Sequence, residues 1–512
     1  MKRFLFVCLF AGALPVAAEI KLPALISDNM VLQQAMPVRI WGSGAAGEAV
    51  TVSMNGQAAK GKADSHGNWE VFLSPMRAGG PFDMSIAGAN TLSVKNVLIG
   101  EVWVASGQSN MAFALRAATG ADQEIAAAAN PQIRFFQVKT TSVPRPVEDV
   151  IGTWKLTTPE NAPGFSAVAY FFAKDLHAAR GVPVGILQSA VGGTPAQAWT
   201  THETLVHNPM LTPYLDSWAK LVEALPAANE KYQRDLAKWK IAAAKARAEK
   251  KTPTAQPRAP AGSPGHVHTP SGLYNGMIAP LTPYGIRGAL WYQGEANAGS
   301  DAELYRTLFA EMILDWRRAW GQGQFPFLWV QLAGYDPPGR NWGVIRDSQT
   351  RTLELRNTGQ ALAIDVGEPH DIHPKDKQTV GKRLALVARS AAYGENIVAS
   401  GPQLRMVTEE NGAMRIWFDY VGSGLATRDG ASLTGFRVAG SDGRFFKAEA
   451  KIDGNTVVVS SSMVGDPSAV RYAWENFPAA NLVNKEGLPA VLLSPKAVWR
   501  PPCRSGDLPH HG

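Results

Sequence analysis

From about residue 22 to 98, apolar and polar positions alternate in short runs such as Val38-Arg39-Ile40-Trp41 and Val50-Thr51-Val52-Ser53-Met54. Turn pairs Asn55-Gly56 and His66-Gly67 divide them. A period of two broken by Gly-containing turns predicts a small β-sandwich over 19–98. At Gly100 the pattern changes to near-continuous apolar runs at 102–105, 133–138, 184–189, 288–292, 327–331 and 361–365. Helical periodicity fills the intervals at 167–179, 302–320 and 377–393. Apolar strands alternating with helices predict an α/β fold, a three-layer α/β/α core whose parallel sheet is covered on both faces, over 99–398. An excursion at about 215–270 interrupts it, with a helix expected near 229–250 and then a Pro-rich run, 253–270, that contains His266 and His268. Beyond about 400 short alternation returns, as at 414–420 and 456–460, with turns at Asp429-Gly430, Asp442-Gly443 and Asp453-Gly454. A β-rich module is predicted for 399–512.

The ends of the chain and its charge narrow the class. Residues 1–18 carry Lys2 and Arg3, an apolar run from Phe4 to Val16 and the small-residue site Val16-Ala17-Ala18. That is the pattern of a cleavable secretory signal, too short for a membrane span, and it predicts an exported protein, periplasmic or extracellular. Cys8 lies inside the signal without the small residues that precede a lipidated cysteine, so Cys503 is the only cysteine of the mature chain and no internal disulfide can form. No later apolar stretch nears the roughly 20 residues of a membrane span. The formal net charge is +7. Much of the basic excess sits between Lys231 and Lys251 at helical spacing, mixed with Glu and Ala, which reads as a solvated helix. No aromatic residues interleave there as a stacking surface would need, so nucleic acid is not an expected partner.

Four segments at successive strand ends carry candidate chemistry. In Gly107-Gln108-Ser109-Asn110 an apolar strand runs into a serine, placed where the loops of a parallel sheet form the ligand crevice. A helix starting there would offer N–H groups to an oxyanion; a plain helix cap is the bland reading. Gly192-Gly193-Thr194-Pro195 lets the backbone approach a carbonyl oxygen closely, or is an ordinary turn. Gln293 and Glu295, after the run at 288–292, offer an amide donor and a carboxylate acceptor for a histidine, or are plain loop residues. His370-Asp371-Ile372-His373 offers a general base beside a carboxylate. A zinc site is the other reading of that cluster, but no thiolate or suitably spaced third histidine accompanies it, and His266 with His268 reads as a solvated loop pair. Trp103, Trp199, Trp291 and Trp342 are candidates for a sugar platform or for core.

Together these segments resemble the SGNH hydrolases, and specifically the sialate O-acetylesterase-like branch of bacterial carbohydrate esterases. The likeness rests on Gly-Glu-Val-Trp-Val-Ala-Ser-Gly-Gln-Ser-Asn-Met at 100–111, Gly-Gly-Thr-Pro at 192–195 and Tyr-Asn-Gly-Met-Ile-Ala-Pro at 274–280. It extends to Arg-Gly-Ala-Leu-Trp-Tyr-Gln-Gly-Glu-Ala-Asn at 287–297, Ile-His-Pro-Lys-Asp-Lys-Gln at 372–378 and Arg-Tyr-Ala-Trp at 471–474. The resemblance implies a flavodoxin-like core, an acetylated carbohydrate as substrate, and no metal or organic cofactor. It also implies Ser109 as nucleophile, His373 as base, and the Ser109 N–H, the Gly192-Gly193 turn and Gln293 as oxyanion hole. One departure stands out: the wider pattern has an aspartate three residues before the histidine, where this chain has His370. The third member is therefore open between Asp371, Glu295 and no carboxylate. Sialate, plant xylan or xyloglucan, and a non-catalytic carbohydrate-binding role remain as readings of the substrate side.

Overall fold

The computed structural model describes residues 19–494 except 300 and 341. The signal expected at 1–18 and the state of Cys503 lie outside the described residues. The central sheet orders its strands as Thr358–Leu362, Phe327–Gln331, Gly288–Tyr292, Thr91–Gly107, Val184–Ala190, Asn130–Gln137 and Trp154–Thr157. All neighbours in that series are parallel except the last pair, which is antiparallel. Gly288–Tyr292 and Phe327–Gln331 are buried at every position, the burial expected of strands with helices on both faces. Ala167–Arg180 and Lys377–Ala391 pack together, while Tyr305–Trp320 contacts Trp342–Arg351. Ser166 caps the first of these by accepting the Ala169 N–H, and Gly181 ends it in the left-handed conformation.

The expected boundary at 98/99 falls inside one strand. Thr91–Gly107 pairs through its first half with Gly79–Ala87 and Val31–Gln33, and through its second half with Val184–Ala190 and Gly288–Tyr292. The N-terminal strands and the α/β core therefore share a backbone ladder. Gly100 permits the crossing, since a Cβ there would lie 2.1 Å from the Pro183 carbonyl oxygen. The last core strand spans Thr358–Leu362, displaced from the expected 361–365. Asp365 lies past its end and accepts from Arg383 Nη1 at 2.6 Å.

The excursion forms two helices, Thr212–Glu223 and Leu225–Ala248; in the second, Ala243 is the sole buried side chain. From Gln403 onward the chain is β-rich, with four-, three- and two-stranded antiparallel sheets around a core that includes Ile416, Phe436, Val457 and Tyr472. Leu362 and Ile364, at the end of the α/β core, belong to that second cluster. Among the described residues, no helix is long and apolar enough to cross a membrane.

Candidate active site

The carboxyl ends of three adjacent strands meet at Gly107, which pairs with Tyr292 on one side and Ala190 on the other. Gly107 has φ +133°, and a Cβ there would stand 2.2 Å from the Tyr292 carbonyl oxygen, so only glycine fits. The chain then turns into the single helical turn Ser109–Ala112. Gln108 N–H donates to Tyr292 O at 3.0 Å, and Val191 N–H to Gly107 O at 3.1 Å. Ser109 is thereby fixed at the carboxyl end of the central strand and is partly exposed, whereas Gln108 and Asn110 on either side are buried. Gly192 lies against it, with an ideal Cβ only 3.5 Å from the Ser109 Cβ.

The histidine loop is bound to the serine turn through Asn110. Its Nδ2 donates to Glu295 Oε1 at 2.6 Å and to the Ile372 carbonyl at 3.0 Å, next to His373. Its Oδ1 accepts from Lys377 Nζ at 2.5 Å. Asp371 caps the histidine loop by accepting the His373 N–H at 2.9 Å, and the same Oδ1 lies 3.6 Å from His373 Nδ1. That separation exceeds an ordinary hydrogen bond and needs a small rotation to close. Partial burial, and next the nearby Lys377 charge, hold the His373 imidazolium below its ordinary value of 6.5, while Asp371 acts in the opposite direction. A base must be neutral to accept a proton, so this environment keeps His373 competent into mildly acidic solution.

Glu295 is placed differently from Asp371. Its carboxyl is almost fully buried, is pushed up by that burial, and is engaged by Asn110. We therefore expect Asp371→Asn to lower kcat by roughly 10- to 100-fold, less than the ~10⁴ known for a fully enclosed partner, because the Asp371 side chain is 41% exposed. It should also move the acid limb of kcat/KM to lower pH, since the lost carboxylate favoured the protonated imidazole. Glu295→Gln keeps an acceptor for Asn110 and is expected to cost less. Rate–pH profiles of both variants on one acetyl ester check this; a crippled Glu295→Gln beside a near-normal Asp371→Asn would reverse the assignment.

Two sets of expected site residues are placed otherwise. Gln293 is fully buried, its Nε2 donating to Asn297 Oδ1 at 2.7 Å and to Thr194 O at 3.2 Å while its Oε1 accepts from Tyr305 Oη at 3.0 Å. Both amide hydrogens are engaged, so Gln293 braces the Thr194 turn. Trp103, Trp199, Trp291 and Trp342 are all buried, where no ring face can meet a sugar. They are core, with Trp199, Trp291 and Trp316 in edge-to-face contact.

Asn110 and Lys377 lie inside the motifs quoted above, yet their residue types alone do not mark them as site residues. His266 and His268, expected as a solvated loop pair, are partly buried. Their rings stack edge-on at 4.9 Å, Trp218 stands 6.2 Å from His266, all three are half-buried, and His268 lies close to the Gly193 backbone. The excursion thus returns to the glycine turn beside Ser109. Among the described residues, no three His, Cys, Asp or Glu side chains gather as a set able to hold a metal ion.

Proteins of similar sequence and structure are carboxylic ester hydrolases, and so is this chain. It belongs to the carbohydrate esterase family of sialic acid-specific acetylesterases, whose model matches residues 99–233 and 257–390. The unmatched interval covers the second half of the Leu225–Ala248 helix. The chain is 30% identical over 506 residues to the sialate O-acetylesterase of Rattus norvegicus, covering 88% of this chain and 89% of that protein. The Homo sapiens sialate O-acetylesterase is 31% identical over 422 residues, covering 74% and 72% of the two chains. A crystal structure of a carbohydrate acetylesterase from Xanthomonas citri is 39% identical, with a TM-score of 0.79 over 93% of this chain and 99% of that one.

Proposed function

We propose that the chain is an SGNH-type serine esterase that removes O-acetyl groups from sialate-like sugars through an acetyl-enzyme on Ser109. The observation that carries this reading is the Asn110 side chain, which binds the serine turn to the histidine loop at the carboxyl end of the sheet. His373 takes the Ser109 proton as Oγ attacks the acetyl carbonyl, forming a tetrahedral oxyanion. The Ser109 N–H and the Gly192-Gly193 turn are the donors for that oxyanion. Collapse breaks the C–O bond to the sugar, and His373 returns its proton to the departing hydroxyl. Water, deprotonated by His373, then attacks the acetyl-enzyme; collapse breaks the bond to Ser109 Oγ, which takes the proton back from His373, and acetate leaves. Asp371 orients the imidazole throughout. On the sugar side, the half-buried cluster of Trp218, His266 and His268 next to Gly193 takes the place of the four buried tryptophans.

A second reading is deacetylation of plant cell-wall polysaccharide; the protein that is 39% identical is described as a carbohydrate acetylesterase with no sugar specified. Acetate release from acetylated sialic acids and acetylated xylo- and xyloglucan-oligosaccharides separates the two: the first set is expected to react faster. In either case rates are expected to fall from acetyl to longer acyl esters. A rate rising steadily toward octanoyl would contradict an acetylesterase.

A further inference from the structure

Lys377 opens the helix Lys377–Ala391, where a lysine would ordinarily reach into solvent, yet it is fully buried. Its Nζ donates to Asn110 Oδ1 at 2.5 Å and lies 4.8 Å from the Phe113 ring centroid and 5.3 Å from that of Tyr292. The charged groups facing it are Glu295 after its strand, Glu368 and Asp371 in the histidine loop, and Asp376 at its own helix cap; His373 lies close enough to feel its charge. Burial pushes the ammonium down to about 7, against the pull of Glu295 and the other carboxylates. Taking an ammonium out of water is costly, so an apolar side chain would suit this position better for stability alone. Its partner is the residue that holds the site together.

We propose that Lys377 is a positioning residue of the deacetylation, its ammonium fixing the Asn110 amide in the orientation that ties the Ser109 turn to the His373 loop. An amide has one acceptor and one donor end. With Oδ1 held by Lys377, both Nδ2 hydrogens point to acceptors, Glu295 Oε1 and Ile372 O. A flipped amide would set its oxygen against those two oxygens. Lys377 therefore acts on the reacting groups through Asn110, while its charge opposes protonation of His373.

This inference rests on Ser109 and His373 being the reacting pair, so Ser109→Ala is assayed alongside; an active Ser109→Ala would indict that reading instead. Lys377→Met, which keeps the apolar stem, is expected to lower kcat by roughly 10- to 100-fold with KM little changed, as for a slight misplacement of reacting groups. It should raise the acid limb of kcat/KM by roughly half a pH unit, because a like charge has left the imidazole. Asn110→Ala should lower kcat comparably without raising that limb, and the double variant should be no worse than the poorer single one. Near-normal kcat in Lys377→Met, additive losses in the double variant, or a lower kcat with an unmoved limb would each overturn the proposal. Should Lys377→Met fail to fold, Lys377→Gln retains a donor for Asn110 and removes the charge. It is expected to keep more of kcat while raising the limb, and an unmoved limb there also overturns the proposal.

Discussion

Ser109→Ala is expected to leave a folded protein whose acetylesterase kcat is lower by roughly three or more orders of magnitude, as for loss of a serine nucleophile elsewhere. The substitution removes one oxygen from a partly exposed side chain. The turn itself is held by Gly107, by the Gln108 N–H bond to Tyr292 and by Asn110, none of which involves the hydroxyl. Stability should therefore change little. What disappears is the atom that forms the acetyl-enzyme. The check pairs kcat on an acetyl ester with a thermal melt of the same preparation; near-normal turnover in the folded variant would remove Ser109 from the mechanism.

His373→Ala should fall to a similar floor, and combining it with Ser109→Ala should cost almost nothing further. Nucleophile and base act as one unit, so removing either abolishes the same step. The imidazole is about one-third exposed and packs 6.2 Å from the Phe113 ring, and the helix Lys377–Ala391 that follows is capped independently by Asp376. The fold should tolerate its loss. Turnover of the three variants on one substrate is the measurement; losses that multiply would mean that the two residues serve separate steps.

Much of this architecture is legible in the chain, for identifiable reasons. The strands Gly288–Tyr292 and Phe327–Gln331 stand where their apolar runs predict, since a strand buried on both faces leaves an uninterrupted signal. The run at 361–365 misleads because Ile364 is apolar for another purpose, packing into the C-terminal core. The strand Thr91–Gly107 reads as two modules because its first half alternates and its second half is wholly buried. Periodicity records the surroundings of a strand, not its continuity. The strand-end serine and the glycine turn are legible for the complementary reason that backbone geometry leaves its mark in Gly107 and Gly193, both at positive φ.

Side-chain partners are less readable. Gln293 looks like a free donor in a loop, and only folding spends its hydrogens on Asn297 and Thr194. A buried tryptophan and a sugar-facing one have the same letter. Lys377 joins Asn110 across 267 positions, and a lysine at a helix start is ordinarily a solvated charge. His266 and His268 sit in a Pro-rich run whose composition says nothing of its return to Gly193.

The claim on which the mechanism stands is that Ser109 is the nucleophile, and active-site titration with a serine-reactive phosphonate tests it most directly. The account predicts one phosphonyl group per chain, located on Ser109 by peptide mass mapping, with activity lost in proportion to labelling and the unlabelled enzyme unaffected by a metal chelator. Full activity in a stoichiometrically exposed enzyme, or a label on another residue accompanying the loss of activity, would contradict it.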